Sequence, residues 1–234
     1  MSVWRGVVGG AVASVLSAGM LAGATRGFSV LTTDSARVEQ IASRPIAVPA
    51  VMLIDMHRLP HTVADDGRAT IVDFVYTRCP TLCGSLGGAY QRLQTEIRKR
   101  GISSRVRLLT ISFDPAWDTP ERLRYYELVM HPDPAVWTVA TLKDSTELPQ
   151  LLRTFGVRVI PDGNNGFVHN AALHVVDSSG RLVSIVPLVG SELDERGGAS
   201  TFSNDALDDA IARALEAALR RAPDVVAAAR VSQN

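Results

Sequence analysis

Two stretches, Thr70–Tyr76 (TIVDFVY) and Val106–Phe113 (VRLLTISF), are β-rich and almost continuously apolar. That pattern predicts central strands covered on both faces. Between them Leu86, Tyr90, Leu93 and Ile97 recur at spacings of four, three and four, which predicts one buried helical stripe, ended by Gly101. Extending that row backwards by three and then four residues reaches Cys83 and Cys79, so the pattern puts both thiols on the stripe at the first turn. A further helix is predicted from about Pro120, with Asp118 as its cap and Glu121 completing a capping box. Thr146–Phe155 reads as a helix and Val157–Ile160 as a strand. Ala171–Val176 and Leu182–Val186 flank Asp177-Ser178-Ser179-Gly180, a hairpin signal, and Ala206–Arg221 is a helix closed by Pro223. Ahead of all these, Val51–Asp55 is a short strand, and Phe28–Pro49 has weak periodicity and reads as a linker or irregular arm.

Strand, helix, strand, helix, then a hairpin and a helix make an α/β layer architecture whose parallel strands are joined by crossovers. The order is that of a thioredoxin-like fold, a central mixed sheet flanked by helices with a late β-hairpin. Its active loop lies at the carboxyl end of a central strand, where Cys79 stands. The predicted organisation is a hydrophobic segment over residues 1–24, an arm over 25–50 and one domain over 51–234.

The N-terminal segment is an address. Gly6–Ala24 carries no charge, Arg5 precedes it, and Ala22-Gly23-Ala24 suits a cleavage site. A cleaved signal peptide and an uncleaved membrane anchor both fit, and either places the rest of the chain outside the cytoplasm. The chain's 24 basic and 24 acidic residues cancel and no basic block stands out, so nucleic acid is not an expected partner. The only two cysteines, Cys79 and Cys83, exclude a multi-disulfide scaffold and leave a local disulfide, a metal site or a redox pair.

Cysteines four residues apart on one helical face can form a disulfide or hold one ion together. A helix N-terminus favours thiolates, and Arg78 adds to this if it points inward. Thiolates select Cu(I), or zinc where four ligands converge; two cysteines exclude an all-sulfur zinc site, so a third ligand has to be histidine. His57, His61 and His131 lie in polar stretches that read as solvated. His169 and His174 bracket the start of the late strand, and their odd separation sends them to opposite faces of a regular strand, so at most one meets the cysteines. A structural disulfide here closes a very short loop and gains little from restricting the unfolded chain.

The segment Phe74-Val75-Tyr76-Thr77-Arg78-Cys79-Pro80-Thr81-Leu82-Cys83 resembles the FxYTxCPxxC signature of the Sco (SenC) family of copper chaperones for cytochrome c oxidase. Ile111-Ser112-Phe113-Asp114-Pro115 followed by Asp118-Thr119-Pro120 is similar to the family's SxDPxxDTP, and His169 stands eleven residues before Gly180 as the family's ligand histidine does. The resemblance covers about Val51–Leu188. It implies copper, as Cu(I) or Cu(II), held by Cys79, Cys83 and His169, with Asp114 as an acidic residue near the site and His174 as a second accessory candidate. It implies delivery to the copper-site subunit of a terminal oxidase from the periplasmic side of the inner membrane. It also leaves open a thiol-disulfide reductase, with Cys79 and Cys83 as catalytic residues and a thioredoxin-like reductant as partner. Here Thr81 stands where an acidic residue is common, Gly84 where a proline often follows, Asn170 where a small hydroxyl residue is usual, and His174 where an aromatic is more common.

Overall fold

The computed structural model of the chain describes residues 33–64, 66–79, 82–188 and 204–221. Strand β4 (Ala69–Val75) and strand β5 (Val106–Ser112) are buried at all seven positions, as their unbroken apolar pattern predicts. They pair in parallel from Ala69 opposite Val106 to Val75 opposite Ser112. Helix α2 (Leu82–Lys99) makes the crossover, and Leu86, Tyr90, Leu93 and Ile97 are each at most 1% exposed. It ends where Gly101 takes φ of +64°, a backbone a side chain resists.

The remaining strands are β1 (Ile46–Ala47), β2 (Leu53–Asp55), β3 (Pro60–His61), β6 (Trp137–Leu142), β9 (Ala172–Val176) and β10 (Arg181–Pro187). The eight-stranded sheet has the order β1-β10-β9-β4-β5-β6-β2-β3. β6 runs parallel to β5, whereas β9 is antiparallel to β4 and β10 to β9, so the sheet is mixed. The β9–β10 hairpin turns at Gly180, φ +76°, with Asp177 accepting from the Ser179 and Arg181 amides. Helices α3 (Pro120–Met130), α4 (Leu148–Phe155, entered through a 3₁₀ turn at Ser145–Glu147) and α5 (Asn204–Arg221) complete the layers. A separate two-stranded ribbon joins β7 (Val159–Pro161) to β8 (Phe167–His169).

Three expectations change. Residues read as an irregular arm include helix α1 (Thr33–Ser43), which packs on β10 and buries Ile41 completely. Strand β6 had no counterpart in the pattern reading, although Trp137-Thr138-Val139-Ala140-Thr141-Leu142 is a β-rich run. Finally, Thr119 and not Asp118 is the cap residue of α3, and its side chain makes no capping hydrogen bond. The proposed address, residues 1–24, lies outside the described residues; among those described, no helix is long and apolar enough to cross a membrane.

Candidate metal centre

Cys79 stands four residues beyond the end of β4, in a turn that its amide closes by donating to the Tyr76 carbonyl at 3.1 Å. The helix begins only at Leu82, so Cys79 precedes α2 where the spacing had placed it on the stripe. Cys83 falls in the first turn of α2; its side chain lies outside the described set. Cys79 is half-buried against the core.

The turn is fixed from below by Asp118, which is fully buried. One carboxylate oxygen accepts from the Thr77 amide at 2.9 Å and from Ser112 Oγ at 2.5 Å, and the other accepts from the Thr77 hydroxyl. The Ser112 hydroxyl in turn accepts from the Asp114 amide at 3.0 Å. The carboxylate thereby satisfies three donors that would otherwise be buried without partners. Its role is to hold the cysteine turn against the end of β5, a role that the capping reading missed.

His169 comes from the opposite side, at the end of β8, and is 8% exposed. Its ring packs edge-on against Phe113 at 4.9 Å and against Tyr76 at 6.2 Å between centroids. Nδ1 lies 3.2 Å from the Asn170 carbonyl, an oxygen that can only accept, so this contact fixes the tautomer with hydrogen on Nδ1. Nε2 then carries the lone pair, and it is buried with no hydrogen-bond partner. Burial holds the imidazole below the usual histidine range, while the Asn170 carbonyl and the charge of Cys79 act the other way. Tyr76 links the two: its carbonyl closes the Cys79 turn and its ring packs on His169, so the fold brings into one neighbourhood two residues 90 positions apart. A neutral imidazole with an orphaned nitrogen and a partly exposed thiol are donors suited to a soft metal ion.

Asn170, the unusual residue after the histidine, has a local function. Its side chain accepts from the Arg158 amide at 2.7 Å and donates to the Gly156 carbonyl at 3.0 Å, pinning the exit of β8 to the turn before β7.

Of the accessory candidates, Asp114 stays beside the cysteine turn through Arg78, and His174 lies in the core. Asp114 pairs with Arg78 at 2.6 Å, and the Arg78 guanidinium stacks over Trp117 at 4.3 Å, with Arg122 over the same ring at 3.6 Å. Arg78 is therefore turned towards Asp114 and Trp117. His174 is in the core of β9, 2% exposed, with Nδ1 against the Val72 carbonyl at 3.2 Å and edge-on contacts to Phe74 and Phe155. Burial pushes it down to about 4, so it is a neutral core histidine. The two histidines belong to different strands in different sheets, not to one regular strand, and of the pair it is His169 whose ring packs on Tyr76, the residue whose carbonyl closes the Cys79 turn. His57 and His131 are exposed, and His61 pairs with Asp55 at 3.1 Å.

A family model described as SCO1/SenC matches residues 56–194. A SCO1 protein homologue of Bacillus subtilis is 24% identical over 119 residues, 50% of this chain and 61% of that protein, so the chain spans under two thirds of that relative's length. A copper-binding protein of Stutzerimonas stutzeri, so described provisionally, is 26% identical over 144 residues, 59% of this chain and 68% of that protein. Among solved structures, a SCO1/SenC family lipoprotein of Bacillus anthracis superposes with a TM-score of 0.59 at 20% identity, covering 75% of this chain and 98% of its own. Yeast Sco1 with copper bound superposes with a TM-score of 0.52 at 20% identity, covering 74% of this chain and 90% of its own. These superpositions establish the thioredoxin-like fold.

Proposed function

The chain belongs to the SCO1/SenC family, and we propose that it is an extracytoplasmic copper-binding protein that carries copper on Cys79, Cys83 and His169 to the dinuclear copper centre of a cytochrome c oxidase. The observation that carries this reading is the buried, unpartnered Nε2 of His169, on a ring packed against Tyr76, whose carbonyl closes the Cys79 turn. A buried imidazole nitrogen without a partner forfeits a hydrogen bond, and a metal–ligand bond offsets that loss. Burial keeps the ring neutral, so its lone pair is available at neutral pH without displacing a proton. Two thiolates and one imidazole form a low-coordinate soft site for Cu(I), which can leave by stepwise exchange with a client's own ligands. The N-terminal apolar segment supports export or anchoring on the periplasmic side of the inner membrane. The provisional description of the Stutzerimonas relative as copper-binding and the copper held by yeast Sco1 support the same cargo.

A second use of the cysteines is compatible with the first. Cys79 is partly exposed at a turn four residues from Cys83, and BsSco, a structural neighbour, has a disulfide switch. The same pair can reduce a client's disulfide when no copper is bound.

The test is anaerobic Cu(I) titration of the reduced protein against a competing chelator, beside His169→Ala. One tight equivalent is expected. The variant should bind more than about 100-fold more weakly, beyond the 10–100-fold that loss of an outer-shell partner costs. Equal affinity in the two proteins would overturn the ligand set. Tight binding in neither, with the thiols still cycling to a disulfide, would leave reduction as the function.

A further inference from the structure

Among the described residues the ribbon that carries His169 pairs with no strand of the main sheet. The side chain of Tyr76, whose carbonyl closes the cysteine turn, ties the ribbon to it by hydrogen bonds. The Tyr76 hydroxyl donates to the Phe167 carbonyl at 3.0 Å and accepts from the Phe167 amide at 3.2 Å. In an antiparallel ribbon the amide and carbonyl of one residue point to the same edge. Phe167 lies opposite Pro161, which has no N–H to give, so both of its groups are turned away from β7, and the hydroxyl takes the place of a neighbouring strand. Tyr76 is 3% exposed, three residues before Cys79; Phe167 is two residues before His169 and shares its face. Tyr76, Phe113 and Phe167 are mutually in ring contact at 5.2–5.7 Å, and His169 packs on the first two.

We infer that Tyr76 is the positioning residue that sets His169 against the cysteine turn, its hydroxyl being the strap between them. Asn170 holds the exit of β8, and the paired hydrogen bonds of Tyr76 hold its Phe167 end in register with the cysteine turn. This deepens the copper reading and rests on it for the role of His169, although the strap is measurable without metal. Tyr76→Phe removes one oxygen atom and keeps the ring packing.

The experiment has two arms. In the reduced, metal-free protein, nuclear Overhauser contacts between the His169 and Phe113 rings, 4.9 Å apart between centroids, are expected to weaken at least about two-fold in Tyr76→Phe relative to contacts between Phe74 and Phe155; undiminished contacts would overturn the strap whatever the role of copper. In the second arm, Cu(I) affinity is measured for wild type, Tyr76→Phe, His169→Ala and the double variant. The expectation is a loss of about 10–100-fold in Tyr76→Phe, the range for outer-shell partners, and no further loss when the change is added to His169→Ala. The same fold-loss in both backgrounds would mean general loosening and would overturn the inference. His169→Ala binding as tightly as wild type would instead overturn the ligand reading, leaving the first arm to decide the strap.

Discussion

At the scale of single residues, the sharpest departure from ordinary burial is Asp73. It lies in the middle of β4, fully buried, with neither carboxylate oxygen hydrogen-bonded. Tyr90 and Thr110 face it, but the Tyr90 hydroxyl donates to the Ile71 carbonyl. Burial pushes this carboxyl up to about 7 against the opposing influence of Thr110 and Tyr90. Because its folded value lies above the unfolded one, the folded state binds the extra proton, and stability falls as pH rises from about 4 to 7. His174 works in the other direction: its folded value of about 4 is below the unfolded 6.5, so its contribution is lost as pH falls through that window. The two slopes oppose each other over the same range. Asp73→Asn is therefore expected to be more stable than wild type at pH 8 by up to about 4 kcal/mol relative to the same comparison at pH 4, from about 1.4 kcal/mol per pH unit. Urea unfolding at the two pH values measures it; an advantage independent of pH would show that the carboxyl is ionised throughout. The sequence shows an acid in an apolar strand, but not that the Tyr90 hydroxyl facing it donates to the Ile71 carbonyl instead.

At the scale of elements, the cysteine turn and the start of α3 are one unit. Asp118 ties Thr77 to Ser112 and leaves the capping position to Thr119. Removing the carboxylate strands the Thr77 amide and two hydroxyls. Asp118→Ala should cost about 2–4 kcal/mol, at roughly 1–3 kcal/mol per unsatisfied buried group with the hydroxyls partly re-paired. Asp118→Asn, which keeps an acceptor, should cost about half as much. Thermal unfolding of the reduced protein checks this, and equal stability of the Ala variant and wild type would remove Asp118 from the turn's support. Local spacing could not reveal this role, because an Asp two residues before a helix-opening proline satisfies the capping pattern equally well. The same limit explains Cys79: the i, i+4 row was right for Leu86 to Ile97, but a turn intervenes before the helix starts at Leu82. β4, β5, the β9–β10 hairpin and the helical stripe were legible because each has a strong period of its own. β8 is only three residues long and owes its place in the ribbon to tertiary pairing, whereas β6 is a β-rich run of six residues whose signal is present in the sequence.

At the scale of the whole molecule, the sheet order turns two distant motifs into one site. Parallel β4 delivers Cys79 at its carboxyl end, where open α/β sheets place their ligands. The chain then crosses β5 and β6 before returning through the ribbon, which the Tyr76 hydroxyl and Asn170 secure. Helix α1 packs on β10 at the far side, so residues with weak periodicity still contribute a fully buried Ile41. Of the residues suggested by the motifs, Cys79 and His169 both meet Tyr76, Asp114 pairs with Arg78 beside the cysteine turn, and His174 lies in the core against the Val72 carbonyl. The central claim is that His169 presents a neutral Nε2 lone pair to copper. Long-range ¹H–¹⁵N correlation of the histidine rings in the reduced protein, before and after one equivalent of Cu(I), tests it most directly. The account predicts an Nδ1–H tautomer for His169 without metal, a large shift confined to its Nε2 on adding copper, and an unmoved His174. A stationary His169 Nε2, with copper bound, would contradict it.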